Sequence, residues 1–337
     1  MISLHEAAFT ASLRHLRGLL AATSTESATE RATNTKFWRS LRDLRAAAFE
    51  FEFLAKFYRK AHPADREDYL QMIALVKPLE DRLGALEDID DMIPYCERYG
   101  VDRQTQEIFS EQRYVDLKNF RQWQKSCGWL DGRALTKLGK KVKALHWLEG
   151  EDLRAFARQQ MSSSLTKLQN NIEKGRYSPK DGKYQLREVE PKVHQLRRDI
   201  RKQAQYMIYT GGLFQLADTP TLPAIYAPLL VSPFASDRYA HLPKAQIAAP
   251  LVIPRGLFLA LNSYISDLGG AKDWALRLRR LQKAGLKGKI DFDQLDVTLG
   301  GWRQSPKAFN PLALGLIEEL QRTRPFALMQ RSIADSR

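Results

Sequence analysis

The stretch that decides the fold runs from Val193 to Arg201 and reads VHQLRRDIR. It contains neither glycine nor proline, and its apolar residues recur at the spacings of one helix face. Val193, Leu196 and Ile200 would face a core. The adjoining face carries one histidine and three arginines: His194, Arg197, Arg198 and Arg201.

A similar stretch, FWRSLRDLR, occupies residues 37–45 near the N-terminus. Each stretch is followed by the pattern L-G-x-x-x-D, at 83–88 in the first half and at 268–273 in the second. The interval to the pattern is 41 residues from Arg42 and 71 residues from Arg197, so the second is longer by 30. This repetition predicts two related halves within the chain.

The predicted fold class is all-α, with two helical bundles related by a pseudo-two-fold internal repeat. Helical periodicity continues through most of the chain, and little alternation indicates strands. We expect the first bundle at 1–130 and the second at 131–337. Seven prolines between residues 218 and 254 exclude long helices there, so this segment reads as a proline-rich insertion in the second half.

Composition points to an anionic partner. The 337 residues include 53 Lys and Arg against 39 Asp and Glu, a formal net charge of +14. Hydrophobic residues make up 44%, enough for a packed core. The two cysteines, Cys96 and Cys127, form no disulfide framework, and no apolar run approaches ~18 residues. We therefore expect a cytoplasmic protein without a membrane segment.

The excess positive charge concentrates on three predicted helix faces. Besides the face at 193–201, one face carries Lys36, Arg39, Arg42 and Arg45, and another carries Arg133, Lys137, Lys140 and Lys141. Like charges at i,i+4 disfavour a helix, and acidic residues are sparse on these faces, so a bound anion would relieve the repulsion. Arginine suits phosphate because its planar fork makes two parallel hydrogen bonds.

The L-G-x-x-x-D patterns predict close helix packing. Gly84 and Gly269 would let another backbone approach, since they lack a Cβ. Asp88 and Asp273 would bond to arginines of the basic helix in the same half. His194 would either donate to a phosphate oxygen or bond to a neighbouring helix and hold the bundle in register.

The sequence contains no recognisable set of catalytic residues. Glu50 and Glu52 have the E-x-E spacing of triphosphatase tunnel enzymes, but Leu54 stands where a lysine is needed. The acidic group at 87–91 has the order E-D-I-D-D and lacks the second aspartate-rich helix of isoprenoid synthases. Neither a phosphate-binding loop nor a metalloprotease motif occurs. The sequence predicts a non-enzymatic protein without a cofactor or a catalytic metal.

At these residues the sequence resembles the CHAD family, the conserved histidine α-helical domain. The stretch 193–201 is similar to its signature helix, and the L-G-x-x-x-D patterns are similar to its second recurring feature. The resemblance spans nearly the whole chain as a single domain, although Arg39 stands where the first half would carry the histidine. It implies two bundles, basic residues lining the surface or channel between them, and binding of inorganic polyphosphate.

The site residues that we predict combine this resemblance with the basic faces. They are Arg39, Arg42, Arg45, Lys137, Lys140, Lys141, His194, Arg197, Arg198, Arg201 and Lys202.

Two other functions compete with polyphosphate binding and recruitment to polyphosphate granules. Binding of RNA or DNA is suggested by aromatic and basic residues that alternate in one segment, where rings would stack on bases. They are Phe120, Arg121, Trp123, Lys125 and Trp129. A structural adaptor for an acidic protein partner is the other alternative.

Overall fold

The protein is described by a computed structural model. It covers residues 4–22, 35–98, 101–218, 223–236, 240–245, 247–281, 297–299, 302–304 and 309–336. Helices account for most of these residues, and the strands are short, which confirms the predicted all-α class. The chain divides into two compact units, Met1–Glu149 and Gly150–Arg337. The internal repeat stays a prediction.

The first unit consists of six helices in its described part. They are α1 (Leu4–Ala22), α2 (Thr35–Tyr58), α3 (Arg66–Asp90), α4 (Met92–Arg98), α5 (Arg103–Ser126) and α6 (Arg133–Ala144). The start of α5 has a local cause, since the Asp102 carboxylate accepts a hydrogen bond from the backbone N–H of Thr105 at 3.0 Å.

The core of the first unit forms where α1, α2 and α3 pack together. The ring of Phe9 on α1 meets that of Phe51 on α2 edge-on, with centroids 5.5 Å apart. Tyr69 and Met72 of α3 are fully buried in the same unit. Burial of these side chains follows the three- and four-residue spacing expected from the sequence.

The boundary between the units lies at Glu149, beyond the position expected at residue 130. The difference arises because α6 packs on α1 and α3 of the first unit. The helical structure is also interrupted at residues 145–149. There the Asp65 carboxylate accepts hydrogen bonds from the backbone N–H and the imidazole Nδ1 of His146, both at 2.8 Å.

The second unit begins with α7 (Gly150–Glu173), followed by a helical segment in three parts. These are α8 (Leu186–Glu188), a π-helical turn (Val189–His194) and α9 (Gln195–Tyr209). The remaining helices are α10 (Arg255–Leu281), α11 (Phe309–Thr323) and α12 (Pro325–Asp335). Pro325 occupies the first position of α12, where its missing N–H has no partner to lose.

One short strand precedes the proline-rich segment and another forms its last residues, a feature that the sequence did not predict. Strand β1 (Phe214–Ala217) pairs in parallel with β2 (Leu251–Pro254), with Phe214 opposite Leu251. Strands β3 (Val297–Leu299) and β4 (Trp302–Gln304) form a second, antiparallel pair. Short apolar runs cannot be distinguished from buried helix by periodicity alone, which explains the omission.

The proline-rich segment contains two 3₁₀ helices, Ala224–Val231 and Pro233–Ser236. It packs against the helices, as Tyr226 is buried and its hydroxyl donates to Thr323 of α11 at 2.8 Å. Pro220 lies outside the described residues. Throughout the described ranges no helix is long and apolar enough to cross a membrane.

Candidate basic-face site

In helix α9 of the second unit, Arg197 contributes to packing. Its Nε donates to the carbonyl of Ile265 on α10 at 3.1 Å. The same guanidinium lies against Gly269, where an added Cβ would be 3.0 Å from Nε. Gly269 therefore makes room for an arginine side chain, whereas the sequence had suggested an approaching backbone.

His194 ends the π-helical turn, and its Nδ1 lies 2.7 Å from Glu190 Oε1 on the preceding turn. Burial lowers the pKa of the imidazole, Glu190 opposes this shift, and the charges of Lys272 and Arg197 add to it. The imidazole is thus held mainly neutral by its surroundings at neutral pH. An anion bound nearby would shift this balance toward the charged form.

The other cations of α9 are more accessible than Arg197 or equally half-buried. Arg198 and Lys202 are exposed, and Arg201 is half-buried. In the described part of the chain, Arg198 has no carboxylate within ion-pair distance. The Lys202 ammonium lies 5.6 Å from the centre of the Tyr206 ring. Arg198 is therefore accessible to an external anion.

Arg42 of the first unit is engaged with carboxylates. Its Nη2 lies 3.0 Å from Asp90 and 2.8 Å from Asp91 at the end of α3. Asp90 also accepts from Arg113 of α5 at 2.8 Å. These carboxylates lie at the end of α3. The sequence of α2 alone therefore does not show that the charge of Arg42 is neutralised.

Arg45 is the more deeply embedded cation of the same helix. Its guanidinium meets Glu80 at 3.2 Å and Glu87 at 2.5 Å, and it covers Gly84, whose added Cβ would lie 2.8 Å from Nη2. Burial lowers the Arg45 pKa, but the two carboxylates outweigh this and raise it. Gly84 again accommodates a side chain where the sequence suggested a backbone.

The two glycine contacts give a new register for comparing the halves. Arg45 lies over Gly84 in the first unit as Arg197 lies over Gly269 in the second. Aligning the halves on this contact pairs Arg45 with Arg197. In each half the arginine thus lies over the glycine of its own L-G-x-x-x-D pattern. The correspondence of Arg39 with the histidine stays a prediction.

The cations that remain accessible in the first unit lie elsewhere. Arg39, Lys137 and Lys140 are exposed, and among the described residues they contact no carboxylate. Lys141 instead pairs with Asp68 at 2.7 Å, and its side chain is only 16% exposed. On the predicted α6 face, Lys137 and Lys140 are therefore accessible, whereas Lys141 is engaged in an ion pair.

The acidic group at the end of α3 is occupied by arginines. Glu87 pairs with Arg45, and Asp90 and Asp91 pair with Arg42. The described ranges contain no group of three or more His, Cys, Asp or Glu arranged to hold a metal ion. Asp273, expected to bond to an arginine, pairs with Lys272 at 2.9 Å.

Sequence reasoning missed a polar surface on α7. Lys167 lies on α7, and Lys174 and Arg176 follow just after its last residue; all three are exposed. Within the described residues none of them has an acidic partner. The signal available in the sequence was the run of hydroxyl residues just before Lys167 and the amides Gln169, Asn170 and Asn171 just after it.

The aromatic residues considered for base stacking belong mostly to the core. Phe120 and Trp129 are each only 2% exposed. Trp123 stacks on Phe120 with centroids 6.0 Å apart, and the guanidinium of Arg82 lies 4.8 Å from its ring centre. Stacking on unpaired bases needs exposed ring faces, and this segment presents few.

Comparison of the chain with protein-family models, curated proteins and solved structures returns no match.

Proposed function

We propose that the chain is a CHAD-like, non-enzymatic protein that binds inorganic polyphosphate through exposed cations of its helices. The observation that carries this proposal is the surface formed by α7 and α9 in the second unit. Arg198 of α9 is exposed, as are Lys167 of α7 and Lys174 and Arg176 just after α7, and none of the four forms an ion pair within the described residues. Exposed cations that form no ion pair favour an external polyanion.

The first unit contributes differently under this proposal. Arg42 and Arg45 stabilise the packing of α2 on α3 through their carboxylates. Arg39, Lys137 and Lys140 remain for the ligand. The cellular consequence of the proposal is recruitment to polyphosphate granules in the cytoplasm.

Nucleic-acid binding is the second candidate, since it would use the same cations. The burial of Phe120 and Trp129 argues against sequence-independent stacking on single strands. Polyphosphate needs only cations and hydrogen-bond donors along a chain of phosphates. The surface therefore suits polyphosphate better.

A competition titration tests the proposal. Full-length protein is titrated with long-chain polyphosphate, single-stranded RNA and duplex DNA at matched phosphate concentration and fixed salt. We expect polyphosphate to bind at least about tenfold tighter, a difference of about 1.4 kcal/mol. Equal or tighter binding of either nucleic acid would exclude polyphosphate as the preferred ligand.

Charge-reversal variants test where polyphosphate binds on the protein. Arg198→Glu combined with Lys174→Glu should weaken polyphosphate binding strongly. Arg103→Glu combined with Lys118→Glu is the matched control, because both residues are exposed on α5, outside the proposed surface, and the change in net charge is the same. A similar loss in both double variants would mean that only total charge matters.

A further inference from the structure

A small polar pocket lies between α7 and α9 of the second unit, and we name it the α7–α9 pocket. Its volume is about 190 Å³. The wall includes Lys167 and Asn171 of α7, Lys202 and Gln203 of α9, and Arg176 from the turn after α7. Pockets for drug-sized ligands begin at roughly 300 Å³, so this one suits a single small group.

The charge of the wall is positive. Lys167, Arg176 and Lys202 face one carboxylate, that of Asp199. Both Asp199 oxygens already accept hydrogen bonds, Oδ2 from the Tyr177 hydroxyl at 2.6 Å and Oδ1 from Gln195 Nε2 at 3.0 Å. Burial and the neighbouring carboxylate raise the pKa of Tyr177, so its hydroxyl keeps the proton that it donates. Both oxygens of Asp199 therefore already bind donors of the protein.

Gln203 supplies an independent indication of a ligand. It is only 2% exposed, and its Nε2 donates to Ser164 Oγ and to the Asp199 carbonyl, each at 3.0 Å. Its Oε1 is buried and has no hydrogen-bond partner among the described residues. Buried acceptors are nearly always paired, so a group that enters the pocket should bring a donor as well as negative oxygens.

A phosphate group that retains a hydroxyl meets both requirements. The second pKa of a phosphate monoester is about 6, so near neutral pH a fraction of such groups still carries a P–O–H donor. Internal phosphates of polyphosphate or of nucleic acid have no such proton. We infer that the α7–α9 pocket binds the terminal phosphate of a polyphosphate chain, an assignment whose ligand rests on the proposed function.

The surroundings of the pocket fit a chain that continues outward. An open groove of about 460 Å³ adjoins it along α7 and shares Lys167 and Asn171 with it. The groove adds Lys174 and several hydroxyl groups, among them Ser163 and Thr166, and its lining includes no carboxylate. It would therefore take the phosphates next to the terminal one.

The test compares ligands with and without ends. The full chain is titrated calorimetrically with linear triphosphate, cyclic trimetaphosphate, orthophosphate and long-chain polyphosphate at one pH and ionic strength. The variant Lys167→Gln with Arg176→Gln removes two cations of the pocket. Arg103→Gln with Lys118→Gln removes two exposed cations of α5 and serves as the control.

We expect linear triphosphate to bind at least about tenfold tighter than the cyclic compound, since only the former has a terminal hydroxyl. The pocket variant should lose this preference, and the control should keep it. Equal binding of the linear and cyclic forms overturns the inference. If orthophosphate binds as tightly as linear triphosphate, a free phosphate is the occupant and the chain-end assignment is overturned.

The long-chain titration separates this inference from the proposed function. Binding of long chains without any preference for linear triphosphate leaves the proposed function intact and rejects the pocket as an end site. A preference for linear triphosphate without binding of long chains supports a site for terminal phosphates and rejects the proposed function.

Discussion

The guanidinium of Arg45 lies over Gly84, so close that an added Cβ would be 2.8 Å from Nη2. The same guanidinium holds Glu80 and Glu87, so the glycine, the arginine and two carboxylates form one packed group. The sequence contains this group as separate signals, an arginine-rich helix and an L-G-x-x-x-D pattern. The structure gives the reason why they occur together.

Gly84→Ala should lower the stability of the protein. Alanine gains about 1 kcal/mol of helix propensity over glycine, but displacing Arg45 loses hydrogen bonds between charged groups worth about 1.5–3 kcal/mol each. The loss of one such bond leaves a net decrease of about 0.5–2 kcal/mol in the free energy of unfolding. Chemical denaturation measures it.

Gly139→Ala is the control for this change. Its added Cβ would meet only Leu13 Cδ2, at 3.6 Å, an ordinary contact. The α6 substitution should therefore stabilise the protein by up to about 1 kcal/mol. Equal effects of the two alanines would contradict the packing role of Gly84.

Because of Glu80, the free energy of unfolding should decrease as the pH becomes acidic. Burial raises the Glu80 pKa, but the ammonium of Lys77 and the guanidinium of Arg45 outweigh it, and the pKa falls below its ordinary value of 4.5. The folded protein therefore binds the Glu80 proton less readily than the unfolded chain does. The stabilisation by ionised Glu80 is fully present above about pH 4.5, the ordinary pKa, and is lost as the pH falls through the lower pKa of the folded state.

Denaturation of Glu80→Gln at several pH values measures this effect. The variant should be less stable than the parent at pH 7, and the difference should shrink in acid. A difference that stays constant from pH 7 to pH 3 would show that the charge of Glu80 contributes nothing.

Arg39 and Arg42 should differ despite their similar positions on α2. Arg42→Ala removes contacts with Asp90 and Asp91, and because its side chain is 46% exposed the expected loss of stability is only about 0.5–1 kcal/mol. Arg39→Ala should leave stability unchanged and weaken polyphosphate binding. Parallel denaturation and binding measurements check the pair, and identical profiles would refute the distinction.

His194 should report on a bound anion. Its pKa is lowered by burial, with Lys272 and Arg197 contributing, whereas Glu190 raises it. Polyphosphate beside these cations would favour the protonated imidazole and raise the pKa. An NMR titration of His194 with and without polyphosphate measures the shift. An unchanged value would mean that His194 only packs against its own helix.

The salt dependence of polyphosphate binding should show which cations contact phosphate. The logarithm of the affinity should fall linearly with the logarithm of the salt concentration. Arg198→Gln should make this slope shallower by about one, as expected when one contact with phosphate is lost. An unchanged slope would place Arg198 outside the interface.

Helix positions were predictable because their cause is local. Apolar residues spaced by three and four mark the positions of α2, α5 and α9. The interruption after α6 was not predictable, since it depends on Asp65, which accepts two hydrogen bonds from His146 81 positions later. Contacts of this kind leave no periodic pattern.

The candidate site was only partly predictable for the same reason. A helix face shows its own charges, so Arg198 and Lys137 could be identified as exposed cations. The neutralisation of Arg42 and Arg45 depends on carboxylates of α3, which reach them only through tertiary packing. The pocket around Gln203 depends on two helices at once, and neither helix indicates it alone.

The parallel pairing of β1 with β2 places a requirement on the proline-rich segment. Parallel strands cannot be joined by a tight turn, and the connection must travel back along their length, which takes a dozen or more residues. The segment between Ala217 and Leu251 is that return path. Its length is therefore a condition for β2 to form at all, and trimming it to a short turn would separate the strands that deliver the chain to α10.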